Sequence, residues 1–148
     1  MGSQLKLLSY SNEHGGQTRR GKRKIARPVA IKRPMHIVLR ARRSGLVQFH
    51  GKIHSILSEP SKAFQVQTYA RAICSTHIHL AIRARSRGGL SNFLRVVSGK
   101  IAQVVSGARR GRALTDKFWK HTPFTRIVEW GRAFTTLLRY VVQNEHSH

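Results

Sequence analysis

Residues 64–85, FQVQTYARAICSTHIHLAIRAR, contain two stretches that are typical of neighbouring β-strands. The first, 64–74, is rich in β-branched and aromatic residues, and the second, 77–85, alternates between apolar and polar positions. Only Ser75 and Thr76 separate them. The two stretches therefore predict adjacent strands in one sheet.

The second of these strands has two chemically different faces. Successive side chains of a strand point to opposite faces. One face is apolar, with Ile78, Leu80, Ile82 and Ala84, and must pack against a core. The other carries imidazole and guanidinium groups on His77, His79, Arg83 and Arg85, with Ala81 between them. Such a face suits a divalent metal and a phosphodiester.

The flanking sequence predicts the remaining elements. Residues 35–43 alternate like a strand, 50–60 have the spacing of a short helix ending at its proline, and 90–106 form an amphipathic helical pattern. A strand at 124–128 follows, and then a last helix at 131–145 whose apolar side carries Phe134, Leu137, Leu138 and Val141. The order β-α-β-β-α-β-α predicts an α+β ferredoxin-like sandwich. It has an antiparallel four-stranded sheet, two helices on one face and an extra C-terminal helix.

The composition indicates a polyanionic partner. Twenty-eight Lys and Arg against five Asp and Glu give a formal charge of +23, and such a charge favours nucleic acid. We expect a flexible basic arm over residues 1–34 and one folded domain over 35–148. The five acidic residues are too scattered for a carboxylate-based nuclease or glycosidase site.

The sequence also bears on the compartment. No apolar run approaches the length of about 18 residues that spans a membrane, and the first residues lack the apolar region of a signal peptide. The single cysteine, Cys74, cannot form an internal disulfide. The expected location is the cytoplasm, without membrane association.

Periodicity alone leaves the role of several polar residues open. His77 and His79 are either metal ligands or two polar residues on an open sheet face. Tyr140 and Asn144, at i and i+4, are neighbours on one side of the last helix. They could present a nucleophile and an amide ligand, or be ordinary rim residues. His50 and His54 share the i, i+4 spacing of helical metal ligands but have no adjacent Glu, so our interpretation is a solvated face.

Three stretches resemble a known family. THIHLAI (76–82), DKFWKHTPFTRIVEWG (116–131) and RYVVQNE (139–145) are similar, in this order, to the REP-associated tyrosine transposases. These are bacterial members of the HUH single-tyrosine transposase superfamily. The resemblance runs over residues 35–144.

The resemblance implies a function. It implies cleavage and rejoining of single-stranded hairpin DNA from palindromic repeats, with Tyr140 as nucleophile and a 5′-phosphotyrosine intermediate. His77, His79 and Asn144 would hold Mg²⁺ or Mn²⁺, without an organic cofactor. The protein would be associated with the bacterial nucleoid, as a monomer or a homodimer.

The resemblance has departures. Cys74-Ser75-Thr76 stands where many members have Met-Pro-Asn, and Gln143 rivals Asn144 as the amide ligand. Two alternatives stay open, a non-catalytic nucleic-acid-binding module and an inactive transposase remnant on the same fold.

Basic residues on the strands and in a basic loop are expected to contact DNA phosphates. These residues are Arg40, Arg42, Arg83, Arg85, Arg109, Arg110 and Arg112.

Overall fold

A computed structural model of the chain describes residues 12–16, 26–108, 111 and 116–145. Its strands are β1 (Glu13–His14), β2 (Met35–Arg40), β3 (Val66–Ile73), β4 (His77–Ala84) and β5 (Phe124–Ile127). Its α-helices are α1 (His50–Ala63), α2 (Arg87–Ser106) and α3 (Arg132–Glu145), and a 3-10 turn (Leu46–Phe49) leads into α1. From β2 onward the predicted order of elements, β-α-β-β-α-β-α, is confirmed, and β1 precedes it.

Within the described residues the strands form one antiparallel sheet in the order β1-β5-β2-β4-β3. Strands β5, β2, β4 and β3 are the four strands of the predicted ferredoxin-like sandwich. The short strand β1 adds a fifth at the edge, where Glu13 pairs with Arg126 and His14 with Thr125.

The main core lies between the sheet and helices α1 and α2. Ile78, Leu80 and Ile82 point into it from β4, as their alternation predicts, and meet Phe93 of α2. Helix α2 begins where the Ser86 hydroxyl accepts a hydrogen bond from the Gly89 N–H at 2.9 Å. A side chain at Gly89 would not fit, because a Cβ there would lie 2.6 Å from the carbonyl oxygen of Phe64.

Helix α1 does not end at Pro60 as predicted but continues to Ala63. Proline lacks the N–H that a helix interior uses, which normally disfavours this position. The Pro60 ring is buried with Ile53 and Leu57 on the inner side of the helix. Its carbonyl still accepts a hydrogen bond from the Phe64 N–H at 2.9 Å. Burial and this bond accommodate the proline.

Helix α3 covers part of the sheet face that carries the histidines. Leu137 and Val141 are buried against Ala72 and Ala81, and Phe134 and Leu138 pack around them, which confirms the predicted apolar side of the helix. The face expected to be open is therefore partly closed by the chain's own last helix. Among the residues that the structure describes, no helix is both long and apolar enough to cross a bilayer.

Two described pieces of the segment predicted as a flexible arm pack on the domain. One is β1, and in the other the Arg27 guanidinium donates to the Pro123 carbonyl at 2.7 Å and to the Thr125 hydroxyl at 2.9 Å. Val29 packs against the main core. The rest of residues 1–25 lies outside the described residues, apart from 12–16.

Candidate functional site

Strands β2 and β4 bring histidines together under helix α3. The register pairs His36 with Ala81, Val38 with His79 and Arg40 with His77. Residues opposite each other in an antiparallel pair share a face, so His36 lies diagonally beside His79. Only the strand register shows that His36 contacts His79.

His36 and His79 form a buried, hydrogen-bonded pair. His36 Nε2 lies 3.0 Å from His79 Nδ1, and the rings stack with centroids 5.3 Å apart. Their side chains are only 7% and 3% exposed. Burial, with a contribution from Arg126, lowers the pKa of His36 to about 4. Burial, reinforced by His36, His77 and Arg40, lowers the pKa of His79 to about 3. Both imidazoles are therefore neutral at neutral pH, which is the form that binds metal.

The other ring nitrogen of His79 is what a metal would use. His79 Nε2 is buried and has no hydrogen-bond partner in the described part of the chain. A buried polar atom of this kind is costly unless something satisfies it. When His79 donates its Nδ1–H to His36, Nε2 presents a lone pair, the arrangement by which a neighbouring acceptor orients a metal-binding histidine. His79 therefore fits the role of a metal ligand.

His77 supplies a second imidazole. Its ring meets that of His79 edge-on at 4.8 Å, and its Nδ1 lies 3.0 Å from the Thr76 hydroxyl. Burial and Arg40 lower its pKa. Potential ligand atoms of Cys74, His77 and His79 all lie within 4.8 Å of one another. The sequence assigned Cys74 no place at this site, because it ends the preceding strand-like stretch and lies outside the alternation of β4.

Cys74 links this group to the end of helix α3. Its Sγ donates to the main-chain carbonyl of Asn144 at 3.3 Å. Burial and the Glu145 carboxylate raise the pKa of the Cys74 thiol, so a thiol rather than a thiolate faces the histidines.

The side chain of Asn144 is engaged within its own helix. Its Nδ2 donates to the Tyr140 carbonyl at 2.8 Å. Its main chain, however, reaches the Cys74 side of the histidine group. The assignment of the Asn144 amide as third metal ligand stays a prediction.

Tyr140 stands over the histidine pair. Its ring meets His79 edge-on at 5.3 Å and His36 edge-on at 5.9 Å. The side chain is nevertheless 47% exposed. The phenol thus lies beside the two imidazoles of the same chain and is open to a molecule in solution.

Comparison with solved structures shows what this architecture is. It resembles the structure of a REP-associated tyrosine transposase bound to a REP hairpin, with a TM-score of 0.62. Sequence identity is 12%, over 85% of this chain and 74% of that chain. The chain has the fold of the REP-associated tyrosine transposases. A protein from Deinococcus radiodurans R1 that is described as a transposase is also similar, with a TM-score of 0.50 and 10% identity. That match covers 85% of this chain and 100% of the other.

The resemblance predicted from the three sequence stretches is thereby confirmed for this transposase fold. No protein-family model matches the sequence, and no curated protein does.

Within the transposase fold, the predicted DNA-contacting arginines separate into two regions. Arg40 and Arg42 line a cavity of about 480 Å³ next to Thr76, together with Lys120 and His121. The sequence did not point to Lys120 and His121 as DNA contacts, because they lie in a loop without periodicity.

The other two described arginines lie at the far end of β4. Arg83 and Arg85 line a second cavity, of about 610 Å³, with Lys62. Arg83 is roughly 20 Å along the strand from His77. These two arginines therefore lie away from the histidines, and their contact with DNA stays a prediction. Arg109, Arg110 and Arg112 lie outside the described residues.

Proposed function

We propose that this protein is a single-tyrosine transposase that cleaves and rejoins single-stranded DNA. The observation that carries the proposal is the packing of Tyr140 against the His36–His79 pair, on the sheet face that also carries His77. An exposed phenol beside neutral imidazoles, in a strongly basic chain, suits a nucleophile that attacks a phosphodiester. The similar fold of a transposase bound to a REP hairpin points to a palindromic hairpin as substrate.

His77 and His79 are the residues that would hold a divalent cation. Bound there, Mg²⁺ or Mn²⁺ would polarise the scissile phosphate and offset the charge that develops on it. Imidazole is a softer ligand than carboxylate, so this pair fits Mn²⁺ better than Mg²⁺. By accepting the Nδ1–H of His79, His36 would keep His79 in the tautomer and orientation required.

The proposed reaction exchanges one phosphodiester for another. The Tyr140 hydroxyl oxygen attacks phosphorus, its proton leaves to solvent or a neutral imidazole, and the bond to the 3′-oxygen breaks. The 3′-oxygen takes up a proton, and the 5′-phosphate stays on Tyr140. Attack by a 3′-hydroxyl reverses the step and releases Tyr140. No external energy is consumed, because each bond broken is matched by one formed.

The cavity beside His77 is the proposed path for the single strand. Arg40, Arg42, Lys120 and His121 surround it, and a positively charged groove that follows the backbone is the usual feature of single-strand binding. Because Tyr140 packs on histidines of its own chain, we propose that one protomer completes the site. This arrangement supports activity as a monomer.

The alternative is a nucleic-acid-binding module on the same fold, without chemistry. The charge of +23 supports binding under either function. A test must therefore detect the covalent intermediate.

The deciding experiment incubates the protein with a labelled hairpin carrying a single-stranded flank, with Mn²⁺ or Mg²⁺. A protein–DNA adduct that resists denaturation is expected with Mn²⁺, and it should be lost in Tyr140→Phe and His77→Ala. Tyr69→Phe is the matched control, since Tyr69 packs against Trp130 and Phe134, away from the histidines. An adduct that persists in Tyr140→Phe excludes this nucleophile. Tight binding with no adduct favours the binding module.

A further inference from the structure

A second group of potential metal ligands lies where helix α1 meets the end of helix α3. His50 and His54 are one turn apart on α1, and Glu145 ends α3. His50 Nε2 lies 2.7 Å from Glu145 Oε1 and 3.1 Å from His54 Nε2. No Glu is adjacent to His50 and His54 in the sequence. Glu145, near the C-terminal end of the chain, supplies the carboxylate instead.

Hydrogen bonds alone do not satisfy His50 Nε2, His54 Nε2 and Glu145 Oε1 well. With neutral imidazoles, a hydrogen on His50 Nε2 would have to be shared between Glu145 Oε1 and His54 Nε2. A single metal ion would instead use a lone pair from each atom. Tetrahedral Zn²⁺ with bonds of about 2.0 to 2.1 Å holds its ligand atoms about 3.3 Å apart. The 3.1 Å between the two imidazole nitrogens is close to this value, and all three ligand atoms lie within 4.8 Å of one another. Two imidazoles and a carboxylate are also a known zinc donor set.

We propose that His50, His54 and Glu145 form a metal site of the Zn²⁺ class, distinct from the histidines near Tyr140. Water would complete the fourth position. A metal ion bound there would connect the beginning of α1 to the end of α3. It would thereby hold α3, the helix that carries Tyr140, in place.

The surroundings support a site that is both held in place and reachable. The second carboxylate oxygen, Glu145 Oε2, accepts a hydrogen bond from the Ile73 N–H at 2.8 Å, which orients the first toward the histidines. The side chains of His50 and Glu145 are 47% and 26% exposed, so an ion can enter from solvent.

The nearby cation, Arg71, is engaged in hydrogen bonds of its own. The Arg71 guanidinium donates to the His54 carbonyl at 3.0 Å and to the Ser58 hydroxyl at 3.3 Å. These bonds hold it against helix α1, so neither is made to one of the three ligand atoms.

The test separates this site from the histidines near Tyr140. In a Cys74→Ser/His77→Ala background, which removes two of the three potential ligands there, the metal-stripped protein is titrated with Zn²⁺ against a chromophoric chelator. We expect one Zn²⁺ per chain. At a 100-fold excess over the dissociation constant, Zn²⁺ should raise the midpoint of thermal unfolding by roughly 5 to 10 °C.

Variants in this background identify the ligands. His50→Ala/His54→Ala should abolish the binding and the thermal shift. Glu145→Gln, which keeps an oxygen for the Ile73 N–H, should weaken binding at least about 10-fold. Lys52→Ala, an exposed change on the same helix, should bind like the parent. Co²⁺ in place of Zn²⁺ should give the intense visible absorption of a tetrahedral site, and circular dichroism verifies that each variant is folded.

Two results would overturn the proposal. One is a folded parent that takes up no Zn²⁺. The other is Zn²⁺ binding that survives in His50→Ala/His54→Ala, because the ion would then be held elsewhere. Neither result depends on DNA cleavage. The proposed function can therefore be wrong while this metal site is correct, and this metal site can be wrong while the proposed function is correct.

Discussion

His36 is the residue on which the proposed metal site depends most, because its hydrogen bond sets the orientation of the His79 ring. A histidine whose Nδ1 is bonded to a neighbour presents Nε2 in a fixed direction. His36 provides that bond at 3.0 Å, inside the protein rather than at its surface. Under the proposed function, His36 is therefore a positioning residue, which would act on the metal through His79.

Replacing His36 should weaken metal binding without removing a ligand. His36→Phe keeps a ring of similar size but leaves His79 Nδ1 without its partner, and we expect roughly 10- to 100-fold weaker Mn²⁺ binding. His36→Gln, whose amide can still accept the bond, should recover part of the affinity. Titration calorimetry measures both, and equal affinity in wild type and His36→Phe would remove His36 from this role.

The same pair should make folding sensitive to mild acid. The pKa values of about 4 for His36 and about 3 for His79 lie below the unfolded value of 6.5. Between pH 6.5 and about 4 the unfolded chain therefore binds protons that the folded chain does not, and stability falls as pH falls. Their contribution is fully present above pH 6.5.

The size of this effect can be measured with urea. In EDTA, to exclude metal, each histidine contributes a slope of roughly 1.4 kcal/mol per pH unit in this window. Comparing wild type with His36→Phe isolates the contribution of His36 from that of other groups. An unchanged slope in the variant would mean that His36 does not contribute to this pH dependence.

Among the elements, helix α3 is the one on which the site depends. It brings Tyr140 to the sheet through a small apolar cluster in which Leu137 and Val141 are buried. Its end also carries Asn144 to Cys74 and Glu145 to His50. The helix is thus held by packing in its middle and by polar contacts at its end.

Two adjacent valines of α3 test how the helix is held. Val141→Ala removes a side chain that is 0% exposed and should lower the free energy of unfolding by roughly 2 kcal/mol, through lost burial and a small cavity. Val142→Ala, at a position 53% exposed, should change it by less than about 0.5 kcal/mol. Urea denaturation followed by circular dichroism provides the comparison. Equal effects would contradict the docking of α3 described here.

For the whole molecule, the dominant property is its charge of +23. Such a charge makes DNA affinity depend steeply on salt, because each phosphate contact releases counterions. The structure concentrates Arg40, Arg42 and Lys120 at one cavity near His77. We therefore expect this cavity, rather than the whole surface, to govern productive binding.

Salt titration of hairpin binding tests this expectation. Arg40→Ala/Lys120→Ala should weaken binding and reduce the slope of log affinity against log salt. The expected reduction for two lost phosphate contacts is about 1.4 on single-stranded DNA and about 1.8 on double-stranded DNA. Lys52→Ala/Lys100→Ala removes the same charge from exposed helix positions and should leave both quantities nearly unchanged. Equal losses in the two double variants would indicate binding without a defined path.

The sequence by itself determined the order of elements, the two faces of β4 and the apolar side of α3, because these follow from repeats of two and of 3.6 residues along the chain. It also pointed to His77, His79 and Tyr140 through three short stretches. It did not reveal the continuation of α1 through Pro60, since burial of a proline ring is not a local property. Nor did it reveal the bond from His36 to His79, the approach of Cys74, or the meeting of Glu145 with His50 and His54. Those contacts join residues 43 to 95 positions apart, and strand register and helix docking, which act across the chain rather than along it, bring them together.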